Sequence, residues 1–350
     1  MENYKIKISN RIITKKTKPF LIAEVAQAHL GNLKNVFKYI DKISVLKIDA
    51  IKFQTHIAEF ESTYDEPFRN KIKKFNSRFD YWKSVEFTEN EWMKIKLYCK
   101  KKKIIFLSSV FSVESIKLLS KIGLKTWKIG SGECNSMDIL NYLRSKKSSD
   151  SIIISTGLMN NQKIRHIYNF FKKKNPLCIM HCVSEYPSKF STLGFNNINE
   201  LNKKYKCIIG YSDHSGSVFP ILYAISKGVP VIEFHVKINE DKQNIDRSSS
   251  INIKDLSLIA EANNAFDIFK KKKINKKNYK PSQKKMLKIF SKSLSLRNDK
   301  KVNEILSFKD LTLKKPGGGI SYESIDNIIG KKLRKNVSSK KIIRYSDLKK

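Results

Sequence analysis

IIGYSDHSG (208–216) begins as an apolar run and ends in Ser212, Asp213 and His214 before a glycine. A second apolar run, VPVIEFHV (229–236), follows it and carries His235 near its end. Runs this apolar read as strands buried on both faces, as in a parallel sheet covered on its two sides. The chain has only six histidines, yet two sit at the ends of these consecutive runs. The same texture extends back along the chain. FLIAEVA (20–26), AIKFQT (50–55), IIFLSS (104–109), TWKIGSG (126–132), SIIISTG (151–157) and CIMHCVS (178–184) bring the number of such runs to eight. The spacers are amphipathic at helical period, as in EWMKIKLYCKKKK (91–103) and SVESIKLLSKIG (112–123). Eight strands alternating with helices over roughly 250 residues predict an α/β fold, a (β/α)8 barrel.

The longest spacer follows the second strand. Residues 56–87, HIAEFESTYDEPFRNKIKKFNSRFDYWKSVEF, are aromatic, charged and poorly periodic. A long loop at that place lies over the barrel mouth and reads as a lid. After IKDLSLIAEANNAFDIFKKKK (253–273) the texture changes. The reading is a barrel over 1–272, a lysine-rich linker over 273–287 and a small β-rich domain over 288–350.

Composition narrows the class. The chain has 350 residues, 40 % of them hydrophobic, with 20 Phe and 14 Tyr, which supports a large core and excludes global disorder. No apolar run approaches a membrane span, and the first twenty residues lack a signal pattern, so a cytoplasmic protein without a membrane partner is expected. The five cysteines contain no C-x-x-C pair and read as buried, reduced thiols. The net charge of +38 invites a nucleic-acid reading. The lysines are spread throughout, however, and no basic–aromatic cluster stands out. The surface reads as solvated and basic, with no nucleic-acid partner.

In a (β/α)8 barrel the chemistry sits at the C-terminal ends of the strands. Here those ends carry Glu24; Lys52 and Gln54; Ser108 and Ser109; Lys128, Ser131 and Glu133; Ser155 and Thr156; His181, Ser184, Glu185 and Tyr186; Ser212, Asp213 and His214; Glu233 and His235. Lys52 and Lys128 interrupt apolar strands, and a buried lysine must be paired or lose its charge. A structural ion pair, a Schiff-base amine and an anion site are the readings open to them. Together with Ser109, Ser131, Ser155, Ser184 and Ser212 they suit a doubly charged oxyanion such as phosphate. His214 and His235 on adjacent strand ends suit a divalent metal. Two imidazoles leave positions open for water or substrate, which favours Mn²⁺ over a closed zinc site. His181 reads as structural or as a support to the ligands. His29 and His56 are loop positions with weaker claims, and His166 reads as an exposed helix residue.

IAEVAQAHLGN, IKFQTH, FLSSVFS, WKIGSGE, ISTG, HCVSEYP, GYSDHSG and VIEFH, in this order, resemble the sialic acid synthase family. That family includes N-acetylneuraminate, legionaminate and pseudaminate synthases. The C-terminal KKPGGGISYESIDNIIGK, followed by KIIRYSDL, resembles the family's antifreeze-like (SAF) domain. The resemblance spans essentially the whole chain. It implies condensation of phosphoenolpyruvate with an N-acyl amino sugar such as N-acetylmannosamine, giving a nine-carbon 2-keto sugar acid and phosphate. It also implies Mn²⁺ or a similar ion such as Mg²⁺ or Co²⁺, and a domain-swapped homodimer. By motif position His214 and His235 would hold the metal. Lys52, Ser109, Lys128, Ser131, Ser155, Ser184 and Ser212 would hold phosphoenolpyruvate. Glu24 and Glu133 are the acid/base candidates, and Tyr186 and Asp246 match sugar-contacting positions. One departure stands out. Where many N-acetylneuraminate synthases have arginine before proline and glycine in the SAF domain, this chain has Lys315, which is not equivalent at a planar hydrogen-bonding site. A non-catalytic sugar-binding barrel of the same fold is the alternative reading.

Overall fold

In the computed structural model, which describes residues 4–69, 72–147, 149–239 and 244–349, a small hairpin precedes everything else. Its strands are β1 (Lys5–Ile8) and β2 (Arg11–Thr14). The eight apolar runs follow as β3 (Phe20–Ala26), β4 (Ala50–Thr55), β5 (Ile105–Val110), β6 (Thr126–Ile129), β7 (Ser151–Ser155), β8 (Leu177–Cys182), β9 (Ile208–Asp213) and β10 (Val231–Lys237). Each pairs in parallel with the next, and β10 pairs with both β9 and β3, which closes the barrel. The short β11 (Ile251–Asn252) adds to the end of β10. The barrel read from the apolar runs is therefore the fold.

Period-two alternation sorts every strand into two faces. Ile51, Phe53, Trp127, Ile152 and Ile154 point outward and join the core shared with the helices. Ile22, Ala50, Leu107, Ile153, Cys178, Ile208 and Val231 point inward. Ile6, Ile8 and Ile13 of the hairpin join this inner cluster, so the hairpin plugs the N-terminal end of the barrel. The next inward positions up the strands are Glu24, Lys52, Ser109, Ser155 and Glu233. The barrel interior is thus apolar at its plugged end and polar at its mouth.

Gly210 interrupts β9 because there is no room for a side chain. A Cβ there would lie 2.8 Å from the Val231 carbonyl oxygen and 3.2 Å from Met180 Cγ. Gly210→Ala is expected to destabilise the barrel by about 1–3 kcal/mol, the usual cost of overpacking. A lowered urea midpoint at unchanged m-value would register it.

The outer ring consists of α1 (Leu33–Ser44), α2 (Arg78–Val85), α3 (Glu89–Lys101), α4 (Val113–Lys121), α5 (Met137–Ser145), α6 (Asn161–Phe171), α7 (Asn196–Lys204), α8 (Val218–Lys227) and α9 (Leu256–Lys271). Lysine clusters fall in the last turns of α3, α7 and α9, where they oppose the helix dipole. The segment 56–87 has more structure than its weak periodicity indicated. A Ser77–Asp80 capping box starts α2, and Ala58, Tyr81, Trp82 and Val85 form a small core of their own. All five cysteines are buried and unbridged.

The chain divides into two units, Met1–Lys272 and Lys273–Lys350. The second opens with α10 (Pro281–Phe290), so the stretch read as a linker carries most of a helix; Pro281 occupies its first turn, where the missing N–H costs nothing. Among the described residues, regular strand in this unit is limited to β12 (Ser293–Leu296) and its antiparallel partner β13 (Leu311–Lys314). Isolated bridges and a core of Leu294, Leu296, Leu311, Ile328, Leu333 and Ile343 hold the rest.

Candidate active site

A cavity of about 530 Å³ opens at the mouth of the barrel. Glu24, Lys52, Ser109, Lys128, Ser131, Glu133, Ser155, Ser184, Tyr186, Ser212, His214, His235 and Asp246 all line it. Lys315 belongs to the second unit, where its ammonium lies 5.5 Å from the centre of the Phe290 ring.

At the floor, the lysines meet serines across neighbouring strands. Lys52 Nζ donates to Ser109 Oγ at 2.6 Å, and Lys128 Nζ to Ser155 Oγ at 2.8 Å. Ser131 and Ser184 share a hydrogen bond of 2.8 Å. Lys52 pairs with Glu24 and lies 3.7 Å from Glu233, which is 3.4 Å from Lys128. Burial opposes the Lys52 charge, but Glu233 and Glu24 outweigh it and hold the ammonium above its ordinary pKa. Burial pushes Glu24 up to about 7 against the pull of Lys52. Glu233 is equally buried, yet Lys128 and Lys52 draw it down to about 2. Burial raises Glu133, which accepts a hydrogen bond of 2.5 Å from Ser136. Glu233 was one polar strand end among many in the sequence; its place between two lysines depends on cross-strand register.

The two histidines of the opening runs converge. Their ring centroids are 5.3 Å apart. His214 Nδ1 donates to the Val183 carbonyl at 2.7 Å, which fixes the tautomer and leaves the Nε2 lone pair facing Tyr186, whose hydroxyl is 3.2 Å away. A ligating histidine is typically oriented by such a bond to a carbonyl. Burial, then the neighbouring His235, pushes His214 down to about 3, and burial lowers His235. Both are neutral at neutral pH, as metal ligands must be. Among the described residues no three His, Cys, Asp or Glu side chains cluster as a closed metal site. Glu233 Oε2 is buried without a hydrogen-bond partner, and the carboxylates lining the cavity outnumber its cations. This donor set fits a divalent ion that takes two imidazoles and completes its shell with water and substrate oxygens.

The remaining expectations separate cleanly. His181 Nε2 donates to the Leu193 carbonyl at 2.6 Å and has a structural place. Asp213 accepts from Tyr211 and Ser215, so it shapes the strand end beside His214. Glu185 is exposed and bonds Thr192. His166 is exposed, and His29 is buried against Phe87. His56 is no loose loop residue. It is stacked between Trp82 and Phe111 in the cavity wall, with centroids 4.0 and 4.2 Å away. The segment 56–87 also contributes Arg69, which pairs with Asp246 and lies 4.4 Å over the Tyr186 ring. The sequence offered no signal for Arg69 beyond its place in an aromatic, charged loop.

A closed parallel barrel with buried lysines, serines and two neighbouring imidazoles at its mouth defines a TIM-barrel protein. The chain belongs to the NeuB family, whose family model matches residues 39–275. It is 30 % identical to an N,N'-diacetyllegionaminic acid synthase of Campylobacter jejuni, over 93 % of this chain and 99 % of that one. It is 25 % identical to the human N-acetylneuraminate-9-phosphate synthase over 66 % of each chain. Among solved structures it resembles an N-acetylneuraminic acid synthetase from Leptospira borgpetersenii, with a TM-score of 0.68 and 27 % identity over 81 % of this chain and 95 % of that one. Relatives named as sialic-acid-type synthases support a synthase role. No helix among the described residues is long and apolar enough to cross a membrane.

Proposed function

We propose that the protein condenses phosphoenolpyruvate with an N-acylated amino sugar in its open aldehyde form, such as N-acetylmannosamine. The products are a nine-carbon 2-keto sugar acid and inorganic phosphate. The observation that carries this reading is the floor of the cavity, where two serine-bonded lysines sit beside a pair of neutral imidazoles.

Lys52, Lys128 and the hydroxyls of Ser109, Ser131, Ser155, Ser184 and Ser212 hold the phosphate and carboxylate of phosphoenolpyruvate. Lys52 is held charged by its carboxylates, so it serves as a cation and not as an imine-forming amine. His214 and His235 would hold a divalent ion such as Mn²⁺, which would supply Lewis acidity to the sugar's carbonyl group. Tyr186 and Asp246 orient the sugar so that its aldehyde carbon faces C3 of phosphoenolpyruvate. C3 forms the new bond as its C2–C3 π pair opens; the aldehyde C=O π bond breaks, its oxygen takes up a proton to become a hydroxyl, and C2 becomes electron-poor. Water adds at C2, and its proton passes to a nearby carboxylate. Glu24 and Glu133 are the candidates, since both line the cavity and burial raises both carboxyls, that of Glu24 to about 7. The C2 bond to the bridging oxygen then breaks as the added hydroxyl gives up its proton to become the keto oxygen, and phosphate leaves with the bridging oxygen.

In this reading the second unit is an antifreeze-like domain that brings Lys315 to the sugar of a partner subunit in a domain-swapped homodimer in the cytoplasm. The test is phosphate release from phosphoenolpyruvate with Mn²⁺ across three sugars: N-acetylmannosamine, a 2,4-diacetamido-trideoxymannose and its altrose counterpart. Release with one sugar, lost on chelation, is expected. No release with any of them from folded, Mn²⁺-loaded protein would overturn the reading.

A further inference from the structure

The sugar side of the cavity contains polar atoms that no described residue satisfies. Glu61 has a side chain only 6 % exposed. Its Oε1 accepts from His56 Nδ1 at 2.5 Å, while its Oε2 is buried with no partner. The hydroxyl of Tyr81 is likewise buried and unpartnered. Both residues line the cavity. A buried carboxylate oxygen left bare costs free energy unless something donates to it.

The arrangement behind Glu61 is built to hold that oxygen in place. His56 is clamped between Trp82 and Phe111, and Gln27 Nε2 reaches its other nitrogen at 2.6 Å. A carboxylate oxygen only accepts, so Nδ1 carries the proton given to Glu61, while Nε2 lies between Gln27 Nε2 and Gln54 Oε1, the latter 3.2 Å away. Glu66, the neighbouring acid, is already engaged by Trp82 Nε1 and Arg78. The cations of this wall are engaged too: Arg69 with Asp246, and Arg78 with Glu66. Ile72 and Ile245 add apolar surface beside them.

We propose that Glu61 and Tyr81 are specificity-determining residues for the sugar, with Glu61 Oε2 accepting a hydrogen bond from an N–H or O–H of a sugar that carries no phosphate. A phosphorylated sugar would bring two further negative charges to a wall whose described cations are all paired and whose nearest free oxygen is itself anionic. Ile72 and Ile245 suit an acyl methyl or a deoxy carbon on the same ligand. This inference rests on the proposed sugar-binding reading of the cavity and names the chemistry that its upper wall selects.

The test measures binding apart from turnover. Calorimetric titration of the whole Mn²⁺-loaded protein would use N-acetylmannosamine, its 6-phosphate and 2,4-diacetamido-trideoxymannose. At least one unphosphorylated sugar should bind at least about tenfold tighter than the 6-phosphate. Glu61→Gln and Tyr81→Phe should each weaken that sugar by about tenfold, the loss expected for a buried hydrogen bond. Phosphoenolpyruvate affinity should change less than about twofold. Tyr81→Phe removes only an unpartnered oxygen, so it tests the idea even where Glu61→Gln disturbs folding. Equal or tighter binding of the 6-phosphate, no sugar binding, or unchanged affinity in both variants would overturn the inference. Selective binding lost in the variants but without phosphate release would keep this inference and sink the condensation reading. Phosphate release with unaltered sugar affinity in the variants would do the reverse.

Discussion

His214→Ala and His235→Ala are each expected to lower phosphate release from phosphoenolpyruvate by about a thousandfold or more, with the barrel still folded. A Lewis acid at a developing oxyanion contributes several kcal/mol, and each 1.36 kcal/mol is a factor of ten. His235 is on β10 and its ring faces those of Tyr186 and His214. His214 projects past the end of β9, and its partners are a loop carbonyl and the Tyr186 hydroxyl. Circular dichroism should therefore match the parent protein. Mn²⁺ titration followed by electron paramagnetic resonance should show the loss of the tight site. A variant that binds no Mn²⁺ yet turns over at the parent rate would remove these residues from the mechanism.

Lys52→Met should damage both function and fold. The methionine fills the lysine's space but leaves Glu24 and Glu233 without their shared cation. Removing one partner of a buried pair costs about 3–5 kcal/mol. For a unit of this size that lowers the melting temperature by about 10 °C. The loss should depend on pH. The folded-state pKa of Glu24 is raised to about 7 from 4.5, so the folded protein holds a proton there that the unfolded chain releases above 4.5. The stabilisation from that proton is full below 4.5 and disappears as pH rises through 7. Without Lys52 the demand for the proton grows, so the variant should lose more stability at pH 8 than at pH 6. Equal losses at both would mean that Lys52 is not the counter-ion of Glu24. Phosphoenolpyruvate affinity should fall at either pH.

The barrel was legible because parallel strands buried on both faces leave continuous apolar runs. The mouth was legible because those runs end in residues that an apolar core has no use for. Lys52, Lys128, His214 and His235 announced themselves as polar residues inside such runs. Glu233 also stands inside such a run, but only the register of β9 and β10 against β3 places it between the lysines. The hairpin plug had a local signal in KIKI, where exposed lysines alternate with buried isoleucines, but it is short and overshadowed by the general lysine content. Arg69, Glu61 and Tyr81 come from a segment folded around its own small aromatic core. No periodicity records such a segment, so its part in the site emerges only from the tertiary structure. In the second unit, the pairings outside β12 and β13 are single bridges such as Lys300–Val337 and Ile305–Lys332, too short to leave a strand pattern in the sequence.

The most direct measurement uses phosphoenolpyruvate labelled with ¹⁸O at the bridging oxygen, with Mn²⁺ and the preferred sugar. Mass spectrometry would follow both products. The account predicts a nine-carbon keto acid without the label and inorganic phosphate that carries it, because the C2–O bond is the one that breaks. Label retained in the organic product, or phosphate formed without a new carbon–carbon bond, would contradict it.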